Sequence, residues 1–248
     1  METGSERGVV LLIHGLWFHQ DVWTPWLAEL DEAGYDAVVL PWADPSFGVL
    51  LTAARKRIEA LPARPVVIGH GVGGAVAERL LSDGKAAAAI SLAPVPGGYP
   101  AVPAAAHLFR HWTQIALLGL RGNAVAPSFP QFRQTIASAG STADARKLYE
   151  SCVVAAKPRA VLMDAVRHRT PARNGQPRRG PLLLVAGGKD QLVSETSIAL
   201  LHRDYRRRQP DAVTDYQVFP GMDHTLGLGT QGVVVLFYCL DWLTAQNM

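Results

Sequence analysis

Cysteine is scarce in this chain: two in 248 residues, Cys152 and Cys239, far apart and in apolar surroundings. With neither the spacing of a redox or zinc motif nor a framework of pairs, they read as inert buried thiols, and a disulfide scaffold is excluded. Charge is also modest, at 18% of residues and a net +3. The basic excess gathers in two runs, 167–179 and 203–208, without interleaved aromatics or a recognisable nucleic-acid module. They read as a solvated loop and a solvated helix face, so no nucleic-acid partner is expected. Long unbroken hydrophobic runs are missing too. The apolar stretch 86–109 is cut by Pro94, Pro96, Pro100 and Pro103, which removes a membrane-spanning helix from consideration. Residues 1–7 lack the basic segment and apolar stretch of a signal peptide, and a cytoplasmic location is the expectation.

One further absence concerns chemistry. Val66-Val67-Ile68-Gly69-His70-Gly71-Val72-Gly73-Gly74 reads as a strand, a tight glycine-rich turn and a helix start. It matches the nucleophile-elbow pattern G-x-S-x-G everywhere except at the serine, where Gly71 stands. Such an elbow pushes one side chain up at the carboxyl edge of a parallel sheet, in a strained backbone conformation that flanking glycines permit. Without a hydroxyl at residue 71, no acyl-enzyme can form there.

What is present is an alternation of short β-branched runs with amphipathic stretches, the pattern of an α/β protein with a mainly parallel six-stranded sheet. Strands are expected over 9–13, 37–40, 66–68, 88–92, 182–185 and 216–219. Thr24 is a candidate cap for a helix that starts at Pro25, runs through Trp26, Leu27 and Leu30, and stops at Gly34. Further helices are expected over 48–60 and 73–81, and a last one is expected to pack Val233, Leu236, Phe237, Leu240 and Trp242 on the sheet. Between residues 93 and 181 the strand rhythm disappears in favour of helical segments at 107–118, 130–139, 143–154 and 159–167. The division expected is a core of 1–93 and 181–248 with a helical cap and connecting loop at 94–180, laid over the sheet edge where open α/β sheets bind ligands. A helical subdomain with its own small core is the alternative.

Four features follow in chain order. His14-Gly15-Leu16-Trp17 closes the first strand, and the Leu16 amide is a candidate half of an oxyanion hole, with the Val72 amide after the elbow as the other half. Asp190, in Gly187-Gly188-Lys189-Asp190, stands where an orienting acid belongs, and His224, after the last strand, where a base belongs. Taken singly, Asp190 could cap a helix over 192–201 and His224 could be a loop histidine. All four in this order at strand ends is a much rarer coincidence.

The whole chain resembles the α/β-hydrolase superfamily, in particular bacterial esterase- and lipase-like hydrolases. The resemblance rests on His14-Gly15-Leu16-Trp17, Pro130-Gln131-Phe132-Arg133, Arg179-Gly180-Pro181-Leu182-Leu183 and Gly69-His70-Gly71-Val72-Gly73-Gly74. It implies the α/β-hydrolase fold, Asp190 as the acid, His224 as the base, and the amides of Leu16 and Val72 as oxyanion donors. The family's serine falls on Gly71.

Glycine takes the positive φ of an elbow comfortably and leaves room for about one water beside His224. Three functional readings follow. The first is an enzyme using His224 and Asp190 as general base with an oxyanion hole on an apolar carbonyl compound, as a lyase, isomerase, cyclase or water-mediated hydrolase. The second is an esterase, lactonase or thioesterase disabled at its nucleophile. The third is a non-catalytic protein binding a ligand or partner. A small apolar carbonyl substrate is expected, contacted by Trp17, Phe18, His70, Trp112 and Phe132, with further aromatic and aliphatic side chains of the insertion (Phe109, Ile115, Leu117, Phe129, Leu148, Tyr149, Met163) as possible lining. No cofactor or metal is expected. His19, His107 and His111 read as surface or packing residues, and the His107/His111 pair lacks the carboxylate partner of a metal site.

Overall fold

The computed structural model of the protein describes residues 7–41, 46–95, 124–157, 179–229 and 232–248. The expected helices at 107–118 and 159–167, with Phe109, Trp112, Met163 and the histidines at 107 and 111, lie outside the described residues. Six strands form one fully parallel sheet: β1 (Gly8–Ile13), β2 (Tyr35–Val39), β3 (Val66–His70), β4 (Ala88–Leu92), β5 (Leu182–Gly187) and β6 (Thr214–Phe219), in the order β2-β1-β3-β4-β5-β6. The expected strands all appear, each within two residues at either end, because runs such as Val-Val-Leu-Leu-Ile suit a sheet covered on both faces. Strands β3, β4 and β5 are buried at every residue, while the edge strands β2 and β6 are mostly half-exposed.

The helices are α1 (Thr24–Glu32), α2 (Phe47–Glu59), α3 (Val72–Ser82), α4 (Phe129–Thr135), α5 (Thr142–Cys152), α6 (Glu195–Arg208) and α7 (Val233–Ala245). The chain leaves β1 for the edge at β2, then turns back past β1 to β3 and continues in one direction to β6. Right-handed crossovers in opposite directions put helices on opposite faces. Accordingly α1 packs with α7, and α2 packs with α3. The direction reverses between β1 and β3, which opens a crevice between their carboxyl ends.

Three local expectations are corrected. Thr24 does not cap α1: a single 3₁₀ turn at Gln20–Trp23 precedes it, and Thr24 is already helical. The helix expected over 130–139 ends at Thr135, since the chain must turn at 136–140 to reach the loops after β5 and β6. On α7 the buried side chains are Val235, Leu236, Cys239, Trp242 and Leu243, whereas Phe237 points outward; a helix apolar on every side leaves its inner face undetermined by pattern. The arginines of the 203–208 run are exposed on α6, with Arg207 and Arg208 paired to Asp204, while Tyr205 between them is buried. Arg179, in contrast, is buried rather than solvated: its guanidinium donates to the carbonyls of Gly180 and Val213 and to Thr214 Oγ1. Both cysteines are buried and unpaired. Among the described residues no helix is long and apolar enough to cross a membrane, and no cluster of three or more His, Cys, Asp or Glu side chains suits a metal ion.

Candidate active site

Residue 71 stands at the carboxyl end of β3, the strand beside the reversal, and immediately precedes α3. Its backbone has φ +56° and ψ −115°, a region that glycine enters freely and side chains resist. The turn is held on both sides: the Gly71 amide donates to the Leu92 carbonyl, and its own carbonyl accepts from Ala75 and Val95. The surrounding glycines are required by close approach. A Cβ on Gly73 would overlap the Ile13 carbonyl at the end of β1, and one on Gly69 would overlap the Gly73 carbonyl. These contacts press the start of α3 against the ends of β1 and β3, and the Val72 amide, first in the helix, has no intrahelical acceptor.

Residue 71 differs from those neighbours. A Cβ built there has two heavy atoms within 4 Å among the described residues beyond its chain neighbours: Gly15 Cα at 3.7 Å and His224 Nε2 at 3.8 Å. Both are ordinary van der Waals distances. Among the described residues a small notch therefore lies over Gly71, walled by the loop after β1 on one side and an imidazole on the other.

The imidazole is tightly held. His224 Nδ1 donates to Asp190 Oδ2 at 2.8 Å, and both side chains are at most 9% exposed. Asp190 Oδ1 accepts the amides of Leu192 and Val193 at 2.7 and 2.8 Å. The carboxylate thus has both oxygens occupied, one by the turn that leads to α6 and one by the histidine. With Nδ1 directed at Asp190, Nε2 is the ring nitrogen that faces the notch. The next residue back, Asp223, anchors the same loop: Oδ1 accepts from the amide and hydroxyl of Thr225, and Oδ2 accepts the Ala139 amide at 2.6 Å.

Beneath His224 lies His70, fully buried. Its Nε2 is 2.7 Å from the His224 carbonyl oxygen, which can only accept, so that nitrogen is the protonated one. The two rings pack edge to face with centroids 4.9 Å apart. Burial, followed by the nearby His224, pushes the His70 pKa well below its ordinary value, so the ring stays neutral and adds no second cation beside the base. The His70 ring also dictates Gly15, because a Cβ there would lie 2.5 Å from His70 Nδ1. His14, one residue earlier, hydrogen bonds through Nδ1 to the Gly15 carbonyl at 3.1 Å, and burial lowers its pKa to about 4.

Sequence-distant residues named as site candidates thus meet: Gly71, Asp190 and His224 directly, with Gly15 and His70 packed around them. Leu16 follows Gly15 and Val72 follows Gly71 in the chain, so both residues adjoin the backbone that borders the notch. The aromatic candidates are placed more deeply than a ligand wall would be. Phe18 is 2% exposed and lies edge-on to His70 and Phe132, Phe132 is fully buried, and Trp17, at φ +65°, donates its indole N–H to the Val125 carbonyl. These side chains join 124–156 to the loop after β1, helped by the Phe18–Val153 bridge. His19 is on the surface beside Asp21. Asp223 was not singled out from the sequence, although the Asp-x-Thr spacing of Asp223 and Thr225 is the signature of a side chain that bonds its own following backbone.

The comparisons agree with this architecture. Residues 10–235 match the model of the alpha/beta hydrolase family. No curated protein sequence matches the chain. Among solved structures, a monoacylglycerol lipase from Paleococcus ferrophilus superimposes with a TM-score of 0.70 at 19% identity, covering 97% of this chain and 95% of that one. A soluble variant of monoglyceride lipase from Saccharomyces cerevisiae, bound to a substrate analogue, gives 0.71 at 15% identity, over 98% and 89%. A variant of tomato methylketone synthase I complexed with beta-ketoheptanoate gives 0.70 at 12% identity, over 97% and 99%. The parallel sheet, the helices on its two faces and the match along nearly the whole sequence lead to one assignment: this chain belongs to the alpha/beta hydrolase family.

Proposed function

We propose that this chain is an enzyme of non-covalent acid–base chemistry, in which His224, oriented by Asp190, is the general base and the amides of Leu16 and Val72 receive negative charge developing on a carbonyl oxygen. The observation that carries the reading is an imidazole whose Nε2 faces residue 71, where no side chain stands, and whose Nδ1 donates to a fully bonded carboxylate behind it. Burying two ionisable groups is costly unless they are paired and hydrogen-bonded, and here both oxygens of Asp190 are engaged. The substrate is a small carbonyl compound with apolar substituents. Support for the class comes from the structural neighbours, whose names point to monoacylglycerols and a β-keto acid. Proton transfer by a positioned base contributes roughly 10²–10⁴ in rate, which suffices for substrates already activated toward enolate formation or attack by water.

The open notch also supports a second reading, that of a hydrolase disabled by loss of its serine, because a side chain at residue 71 would meet only van der Waals contacts. One experiment separates the two. The chain is assayed on an activated acyl ester and on a medium-chain β-keto acid, beside His224→Ala and Asp190→Ala. Turnover that depends on His224 supports the first reading. No His224-dependent turnover of either compound, with labelling by a fluorophosphonate appearing only in Gly71→Ser, establishes the second.

A further inference from the structure

The notch presents two places that a substrate has to reach at once: a proton acceptor, His224 Nε2, and the pair of amides that follow Gly15 and Gly71. In a serine enzyme the side-chain hydroxyl would sit at the first, one C–O bond from a Cβ that here would lie 3.8 Å from Nε2. The carbonyl oxygen of the substrate would sit at the second. These two oxygens belong to groups that react at about 3–3.5 Å. A single molecule can supply both when its hydroxyl and its carbonyl are separated by one intervening carbon. Such a β-hydroxy carbonyl compound folds into a six-membered arrangement whose oxygens stand at hydrogen-bond distance, roughly 2.7–2.8 Å. An α-hydroxy carbonyl holds its oxygens in a narrower five-membered geometry, and a γ-hydroxy carbonyl must give up more torsional freedom to hold the same spacing.

We propose that this site takes β-hydroxy carbonyl compounds with apolar substituents and cleaves their Cα–Cβ bond, the substrate's own hydroxyl standing where the absent side chain at residue 71 would place one. The inference rests on the non-covalent reading above and names its substrate. The step balances without a co-reactant. His224 Nε2 takes the hydroxyl proton, and the O–H electron pair becomes the second bond of a new carbonyl. The Cα–Cβ pair moves onto Cα and into the adjoining carbonyl, whose oxygen becomes the enolate received by the Leu16 and Val72 amides. After the first carbonyl product leaves, the imidazolium returns its proton to Cα, giving the second carbonyl product and neutral His224. The 2.8 Å contact to Asp190 holds the ring in place during the interval, and the neutrality of His70 keeps a second positive charge away from it. Glycine at residue 71 is required by this chemistry, because a hydroxymethyl group would occupy the volume that the substrate's hydroxyl-bearing carbon uses.

The test uses the aldol of acetone and a methoxynaphthaldehyde, which releases a fluorescent aldehyde on cleavage. The chain as it stands is expected to release aldehyde at least about 100-fold faster than His224→Ala, in line with the loss of a positioned base. Gly71→Ser is expected to lose that cleavage while gaining fluorophosphonate labelling and ester hydrolysis, an exchange that general misfolding does not produce. If aldehyde release does not exceed that of His224→Ala, the inference is overturned; it falls alone if His224-dependent turnover of the β-keto acid or the activated ester persists. If those reactions are missing as well, and Gly71→Ser is neither labelled nor hydrolytic, the functional reading falls with it. Aldehyde release undiminished in Gly71→Ser would also overturn the inference, since the hydroxyl would then lie elsewhere.

Discussion

Introducing a hydroxyl at residue 71 tests the site most directly. In Gly71→Ser the new Cβ meets Gly15 Cα at 3.7 Å and His224 Nε2 at 3.8 Å, so packing resists little. The cost is the backbone: at φ +56° and ψ −115°, a region sparsely populated by side-chain-bearing residues, roughly 1–3 kcal/mol is lost. Replacing glycine also narrows the unfolded ensemble, which returns about 0.4–1 kcal/mol. The net loss is about 1 kcal/mol, corresponding to a fall in Tm of roughly 2–4 °C for a chain of this size. The serine Oγ then lies one bond from a Cβ already beside the imidazole, within reach of a hydrogen bond to Nε2. Removing a triad nucleophile costs up to about 10⁶ in kcat, while the remaining site keeps on the order of 10³–10⁴ over water. Hydrolysis of a p-nitrophenyl acyl ester should therefore rise by at least about 100-fold, with one fluorophosphonate adduct seen by intact-mass spectrometry. Gly71→Ala is the control, with the same fall in Tm and no adduct. A folded Gly71→Ser protein with the expected Tm but no adduct would refute the alignment of residue 71 with His224. Gly73→Ala marks the contrast, since its Cβ would overlap the Ile13 carbonyl, and it should lose several times more stability in the same melt.

Three further outcomes are expected. Asp190→Asn keeps an oxygen for the Leu192 and Val193 amides, so its Tm should stay within a few degrees, but its NH₂ group faces His224 Nδ1 and imposes the wrong tautomer; ester hydrolysis in the Gly71→Ser background should fall on the order of 10⁴-fold. His70→Ala frees the His224 carbonyl and should lower kcat in that background by on the order of 10²-fold with little change in KM, whereas His70→Gln, which can still donate, should recover most of it. Glu78 on α3 is buried between Ser91 and Tyr205, with Arg179 nearby, and burial raises its pKa from 4.5 to about 7. The folded state therefore holds a proton that the unfolded state has released, and the stability this group confers is lost as pH rises from about 4.5 to 7. Glu78→Gln should flatten that part of the Tm-versus-pH curve; an unchanged slope would mean that Glu78 is ionised throughout.

The fold was legible because a parallel sheet buried on both faces demands consecutive apolar residues, and Val9–Ile13, Val66–Ile68 and Leu182–Val185 have few other uses. The meeting of Gly71, Asp190 and His224 in the candidate site was legible because Gly71 ends one strand and the other two lie in the loops just after later strands, where side chains of an α/β sheet converge. Less was readable where one residue type serves several ends. Phe18 and Phe132 look the same in sequence whether they line a ligand or pack against His70, and the structure buries both. Asp223 gave no sign of holding the Ala139 amide 84 positions away, nor Arg179 of being enclosed by the start of β6.

Local chemistry alone thus settles which stretches become strands, that the turn at residue 71 carries no side chain, and that a carboxylate and an imidazole follow at later strand ends. Distance is another matter. That Nε2 of residue 224 stands 3.8 Å from where a Cβ on residue 71 would be, with a neutral histidine beneath it and every oxygen of Asp190 engaged, depends on strands β3, β5 and β6 lying in one register. That register results from burying the whole sheet at once, which no short segment encodes.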